Sequence, residues 1–118
     1  MAAISSHTLN SVDGSHAAGI AVALYRIGSS DARELVFETA TDDGGRLSET
    51  LAADAVDSCA QYEMVLQAGA YFAARAPEKE GRQIVREVVI RFAMPDPEAR
   101  YHIPLILAPH SYAVWWSS

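Results

Sequence analysis

Hydrophobic and polar positions alternate in short runs along most of the chain. In residues 16–25 (HAAGIAVALY), Ile20, Val22 and Leu24 fall on one side and Ala21, Ala23 and Tyr25 on the other. A period of two predicts a strand, here buried on one face and partly covered on the other. The alternation returns in residues 34–41, with Leu35, Phe37, Thr39 and Thr41 on one face. It returns again in residues 61–66, with Tyr62, Met64 and Leu66 together. Residues 83–93 set Val88, Ile90 and Phe92 against Val85, Val89 and Arg91, and Pro95 and Pro97 end the run. Residues 101–107 and 112–116 read as the last two strands, and Pro104 predicts an edge position or a bulge in the first of them. Residues 69–76 lose the alternation and carry helix formers, which predicts one short helix ending before Pro77.

Turn signals separate these runs. They are Val12-Asp13-Gly14-Ser15, residues 28–31, Asp42-Asp43-Gly44-Gly45 and residues 109–111. Glycine accepts positive φ there, and aspartate bonds its own backbone. The pattern gives six to eight closely spaced strands and no internal repeat, which predicts an antiparallel β-sandwich. A length of 118 residues predicts one domain spanning 1–118.

Charge narrows the function. The net charge is −6, Lys79 is the only lysine and the eight arginines are scattered, so nucleic-acid binding is not expected. No stretch is long enough to span a membrane. The start of the chain lacks the basic and apolar regions of a secretion signal. Cys59 is the only cysteine, so no intrachain disulfide forms and no site of paired thiolates exists. It has no neighbouring base in sequence and reads as a packing residue. A cytoplasmic protein is the expectation. Asp42 and Asp43 suggest calcium, but the two glycines after them favour a turn.

Four blocks then become specific. Residues 4–10 (ISSHTLN) are followed by Asp13-Gly14 and Ala17-Ala18-Gly19. After them, in order, come Thr41-Asp42-Asp43-Gly44-Gly45-Arg46, Gly69-Ala70-Tyr71-Phe72, and the run YHIPLILAP at 101–109. Over residues 4–118 the chain resembles the transthyretin and 5-hydroxyisourate hydrolase family. The Tyr-His-hydrophobic-Pro-Leu block resembles the hydrolase branch, because the hormone carriers lack its His and Pro. The resemblance implies an all-β, transthyretin-like (prealbumin-like) sandwich of two four-stranded sheets with a short helix. It also implies a homotetramer, a dimer of dimers whose central channel holds the active sites. The activity it implies is cofactor-free hydrolysis of a small molecule, 5-hydroxyisourate, in purine degradation, with no metal.

The resemblance carries three catalytic positions onto this chain: His7, Arg46 and His102. Taken singly, each has an ordinary explanation. A His near a terminus is usually solvated, a His on an apolar strand is usually a hydrogen-bonded packing residue, and an Arg after a turn is usually a solvated charge. Their joint match to three motifs is what points to a site. One His would act as general base on water, since an ordinary imidazole titrates near pH 6.5. The other would orient water or protonate the departing ring nitrogen, and the sequence leaves open which is which. Arg46 offers a permanently charged fork of donors for urate-like oxygens and for charge developing on the attacked carbonyl. His16 and His110 match no such position and read as surface or packing residues.

The tail departs from the pattern. Hydrolases of the family end in Tyr-Arg-Gly-Ser, which helps form their site; here Trp115-Trp116-Ser117-Ser118 stands in that place. Trp115, Trp116 and Ser118 are therefore the expected substrate-binding positions. Losing the Arg removes a cation that an anionic substrate would use. Two indoles favour a flatter or more apolar ligand, or a sealed subunit contact. Three functions remain: a hydroxyisourate hydrolase with a variant tail; a repurposed enzyme performing hydrolysis, cyclisation or proton transfer on another substrate; and a non-catalytic binding protein.

Overall fold

The computed structural model describes residues 1–75 and 83–118. Its strands are β1 (Ala2–Asn10), β2 (Ala21–Ile27), β3 (Arg33–Ala40), β4 (Arg46–Leu51), β5 (Gln61–Leu66), β6 (Val88–Ala93), β7 (Arg100–His102), β8 (Leu105–Ala108) and β9 (Ser111–Val114). One helix, α1 (Ala68–Arg75), follows β5, and a short 3-10 turn lies at Ala53–Ala55. Two sheets result. One runs β4-β1-β8-β9 with β7 also on β1, and the other runs β3-β2-β5-β6. This is the expected sandwich with one short helix.

The core forms where the inward faces meet. Ile4, Leu24, Tyr62, Met64, Leu66 and Leu105 are fully buried, each contributing about 1.5–3 kcal/mol on leaving water. In β1 every second residue from Ala2 to Asn10 is buried, which leaves Ser5, His7 and Leu9 on the outer face. Two of its inward residues, Ser6 and Thr8, are polar, so its hydrophobic pattern does not announce a strand. The structure satisfies both hydroxyls: Ser6 Oγ donates to the Ile103 carbonyl at 2.6 Å, and Thr8 Oγ1 to the Ala17 carbonyl at 2.9 Å. β4 carries no such pattern either, since only Leu47 of its six residues is buried.

Several expectations are corrected. Residue Leu35 does not share a face with Phe37: a bulge opposite Leu24 and Tyr25 adds Val36 and turns Leu35 to solvent, where it is half-exposed. The strand from Gln83 begins only at Val88. Of the helix expected over 69–76, residues 68–75 are observed, and Ala76 and Pro77 lie outside the described residues. Cys59 is exposed rather than packed, since it sits in the turn before β5 and its N–H donates to Asp57.

Pro104 lies at neither an edge nor a bulge. The offset from β1 is the same before and after it, Ser5 facing His102 and Thr8 facing Leu105. The register to the tail is likewise unbroken, from Leu105 opposite Val114 to His102 opposite Ser117. β7 and β8 are thus one lane, interrupted at Ile103 and Pro104. Trp115 donates to the Pro104 carbonyl at 3.4 Å, and the return bond cannot form because proline has no N–H. This lane runs parallel to β1, so the sheet is mixed within an otherwise antiparallel sandwich.

Candidate active site

The outer face of the β4-β1-β8-β9 sheet is a grid of side chains set by register. His7 on β1 lies directly opposite Arg46 on β4. Two residues back, Ser5 lies between Ser48 on β4 and His102 on β7. The three expected catalytic residues therefore share one face within two adjacent rows.

Arg46 is placed by the turn before it. Asp42 Oδ1 accepts the Gly44 and Arg46 backbone N–H groups, both at 2.9 Å, and the Gly45 N–H closes on the Asp42 carbonyl. The Asp42 carboxylate thus serves the turn, and among the described residues no three His, Cys, Asp or Glu side chains converge as metal ligands. Gly45 is required twice. Its φ is +71°, and a Cβ there would stand 2.4 Å from the Thr8 carbonyl oxygen. That close approach lets Thr8 N–H reach the Gly45 carbonyl at 2.7 Å, which locks the turn onto β1.

Each histidine is held differently. His102 Nδ1 lies 2.8 Å from Ser5 Oγ, and its backbone exchanges two hydrogen bonds with Ser117, at 3.0 and 2.8 Å. Among the described residues its Nε2 has no hydrogen-bond partner. His7 Nε2 lies 3.0 Å from Nδ1 of His16, and the two rings stack with centroids 5.1 Å apart. Partial burial, then the neighbouring Arg46, His16 and His102, lower the His7 pKa, while a hydrogen bond with the Gly44 backbone works the other way. His7 therefore favours its neutral form at neutral pH. His16 is the residue that sequence reasoning left out. It lies nine positions from His7, and only the turn between them brings the rings together.

Two hollows adjoin this face. A cleft of about 590 Å³ has Ser5, Asp42, Arg46, Ser48 and His102 on its wall, together with Thr39 of β3. A second groove of about 500 Å³ is apolar and lined by Ile90, Phe92, Tyr101, Ile103, Trp115 and Trp116. The tryptophans thus line the groove beside β6 rather than the cleft of His102 and Arg46. Ser117, not Ser118, is the tail residue bonded to His102.

The family profile described as "HIUase/Transthyretin family" matches residues 4–116. The chain belongs to that family. It is 31% identical to 5-hydroxyisourate hydrolase 2 of Rhizobium meliloti (strain 1021), over 98% of this chain and 95% of the relative. It is 33% identical to the 5-hydroxyisourate hydrolase of Mesorhizobium japonicum, over 98% and 91%. Among solved structures it resembles Klebsiella pneumoniae 5-hydroxyisourate hydrolase, with a TM-score of 0.76 and 26% identity over 98% and 99% of the two chains. It also resembles an (S)-allantoin synthase, with a TM-score of 0.78 and 25% identity, matching 99% of this chain but 44% of that one. This family member shares the sandwich with these two solved structures over 98–99% of its length.

Proposed function

We propose that the protein is a 5-hydroxyisourate hydrolase-like enzyme that directs water onto a urate-derived cyclic amide. The observation that carries this reading is the register that sets His7 opposite Arg46, with His102 in the next row on the same face. Ser5 occupies Nδ1 of His102, so Nε2 is the nitrogen presented to water, and His102 takes the role of general base. The proton leaves water for Nε2 as the oxygen attacks the carbonyl carbon. Arg46 stabilises the negative charge that collects on the carbonyl oxygen. Neutral His7 beside it orients the substrate. The protonated His102 then returns its proton to the departing ring nitrogen. The homotetramer, with the site in its channel, and a cytoplasmic setting belong to the same proposal; a lone unpaired cysteine suits a reducing compartment.

The test follows the absorbance decay of freshly generated hydroxyisourate. Wild type is expected to accelerate it and His102→Ala to lose most of that acceleration. Decay at the spontaneous rate with wild type refutes the reading.

One observation favours a second reading, an enzyme of the same site acting on a flatter or more apolar substrate. The tail carries two tryptophans beside an apolar groove where the family's hydrolases carry Tyr and Arg. Trp116→Arg assayed in parallel separates the two. A gain in hydroxyisourate turnover marks the wild-type tail as adapted to another substrate.

A further inference from the structure

The His7–His16 contact joins a candidate catalytic side chain to a residue with no assigned role. One ring nitrogen of His7 is engaged by a second histidine. Nε2 meets His16 Nδ1; the Gly44 backbone raises the His7 pKa, the effect of an acceptor, and Nδ1 is the nitrogen free to donate to it. A carbonyl only accepts, so neutral His7 carries its proton on Nδ1 and offers the Nε2 lone pair to His16. His16 then carries its proton on Nδ1 and turns Nε2 to solvent. The contact is built rather than incidental. His16 pairs with Leu9 in an isolated bridge, Ala17 N–H donates to the Thr8 carbonyl at 2.9 Å, and a Cβ added at Gly45 would stand 3.4 Å from the His16 Cβ.

We propose that His16 is a positioning residue for His7: its Nδ1–H fixes the His7 ring and selects the His7 tautomer protonated on Nδ1. The kinetic part rests on the hydrolase reading above; the structural part does not. The charged and titratable groups that act on His7 are Arg46 from β4, His102 from β7 and His16 itself; the nearest acidic residues in sequence are Asp42 and Asp43 in the turn before β4 and Asp13 in the loop that carries His16. Asp42 is held by the Gly44 and Arg46 N–H groups, and Asp13 by Ser15. Neither carboxylate is hydrogen-bonded to the imidazoles, so Arg46, His102 and His16 together resist a charge on His7. Protonation of the pair is a simple hop. The His16 Nδ1–H bond breaks as a bond to His7 Nε2 forms, and His16 Nε2 takes a proton from a hydronium ion, which leaves water.

Nitrogen-15 spectra of the imidazoles in the full chain test this without turnover. Wild-type His7 is expected as the Nδ1–H tautomer. In His16→Ala, His7 should shift towards the Nε2–H tautomer and take up its proton at higher pH. In His16→Asn, whose amide N–H stands near the lost imidazole N–H, the Nδ1–H tautomer should return. An unchanged His7 tautomer in His16→Ala overturns the proposal. On the kinetic side, kcat/KM in His16→Ala is expected to fall about tenfold, because a displaced His7 orients the substrate less well, and to recover in His16→Asn. The acid limb of the His16→Ala profile should move to higher pH. Loss that His16→Asn does not restore also counts against it. If wild type leaves hydroxyisourate decay unchanged while the tautomer switches as stated, the hydrolase reading fails and the positioning role stands.

Discussion

At the level of single residues, the site depends on a glycine and an arginine. Alanine at Gly45 meets both a positive φ and the Thr8 carbonyl 2.4 Å from its Cβ. Neither can relax without moving the turn off β1, so Gly45→Ala is expected to destabilise the fold by about 2 kcal/mol or more. Urea denaturation measures it. Arg46 acts on His7 through charge. Since Arg46 lowers the His7 pKa, Arg46→Gln should raise it, and an imidazole titration by NMR would show the midpoint moving up. A midpoint that stays or falls contradicts the geometry. His7, Arg46 and His102 were legible in the sequence through motif resemblance alone. His16 was not, because hydrogen bonding between side chains nine residues apart leaves no periodic signal.

Among the elements, the tail and β5 show how a strand's neighbours decide its meaning. β9 pairs with β8 only as far as Val114, yet Ser117 still ties to His102 through two backbone bonds. Truncation after Val114 should leave the sheet intact, with circular dichroism and melting little changed, while hydroxyisourate turnover falls because His102 loses both backbone bonds to Ser117. Turnover equal to wild type would show that the tail does not position His102. On β5, Glu63 faces away from the core and is nonetheless buried, covered by Arg33 and Arg91 at 2.7 Å each. The bond from Arg91 holds its carboxyl below the usual carboxylate range, against the opposing effect of burial. Both arginines are about half-exposed, which screens the triad. Glu63→Ala should therefore cost about 1–2 kcal/mol, below the range for a fully buried pair. A denaturation curve superimposable on wild type would show the triad to be decorative. The alternation of Tyr62, Met64 and Leu66 announced the strand, whereas the ion triad needed the β3 and β6 partners that only pairing supplies.

The whole molecule titrates through these same groups. His7 has a folded-state pKa below its unfolded value, so the unfolded chain binds more protons as the pH falls through 6.5. Its contribution is complete above that value and is lost on acidification. Glu63 behaves likewise, with its contribution lost as the pH falls below 4.5. Melting temperature should thus decline in two stages on acidification, and His7→Asn should remove the one nearer neutrality. Assembly is the other question at this scale. Val89, Tyr112, Val114 and Trp116 are exposed along β6, β9 and the tail. The proposed tetramer would cover surface of this kind, and light scattering should then give about four times the 12.7 kDa chain mass.

The sequence by itself determined the class of fold, because a two-residue period forces one face of each strand inward wherever that face is apolar. It also determined the turns, since glycine and aspartate carry that information locally. The lanes, the parallel pairing of β1 and the union of β7 with β8 were decided only in three dimensions. Register is a relation between distant segments, and β1 hides its own strand signal behind buried hydroxyls that need Ala17 and Ile103 as partners. Tertiary structure alone also set the cleft at His102 apart from the apolar groove at the tryptophans, and brought His16 to His7.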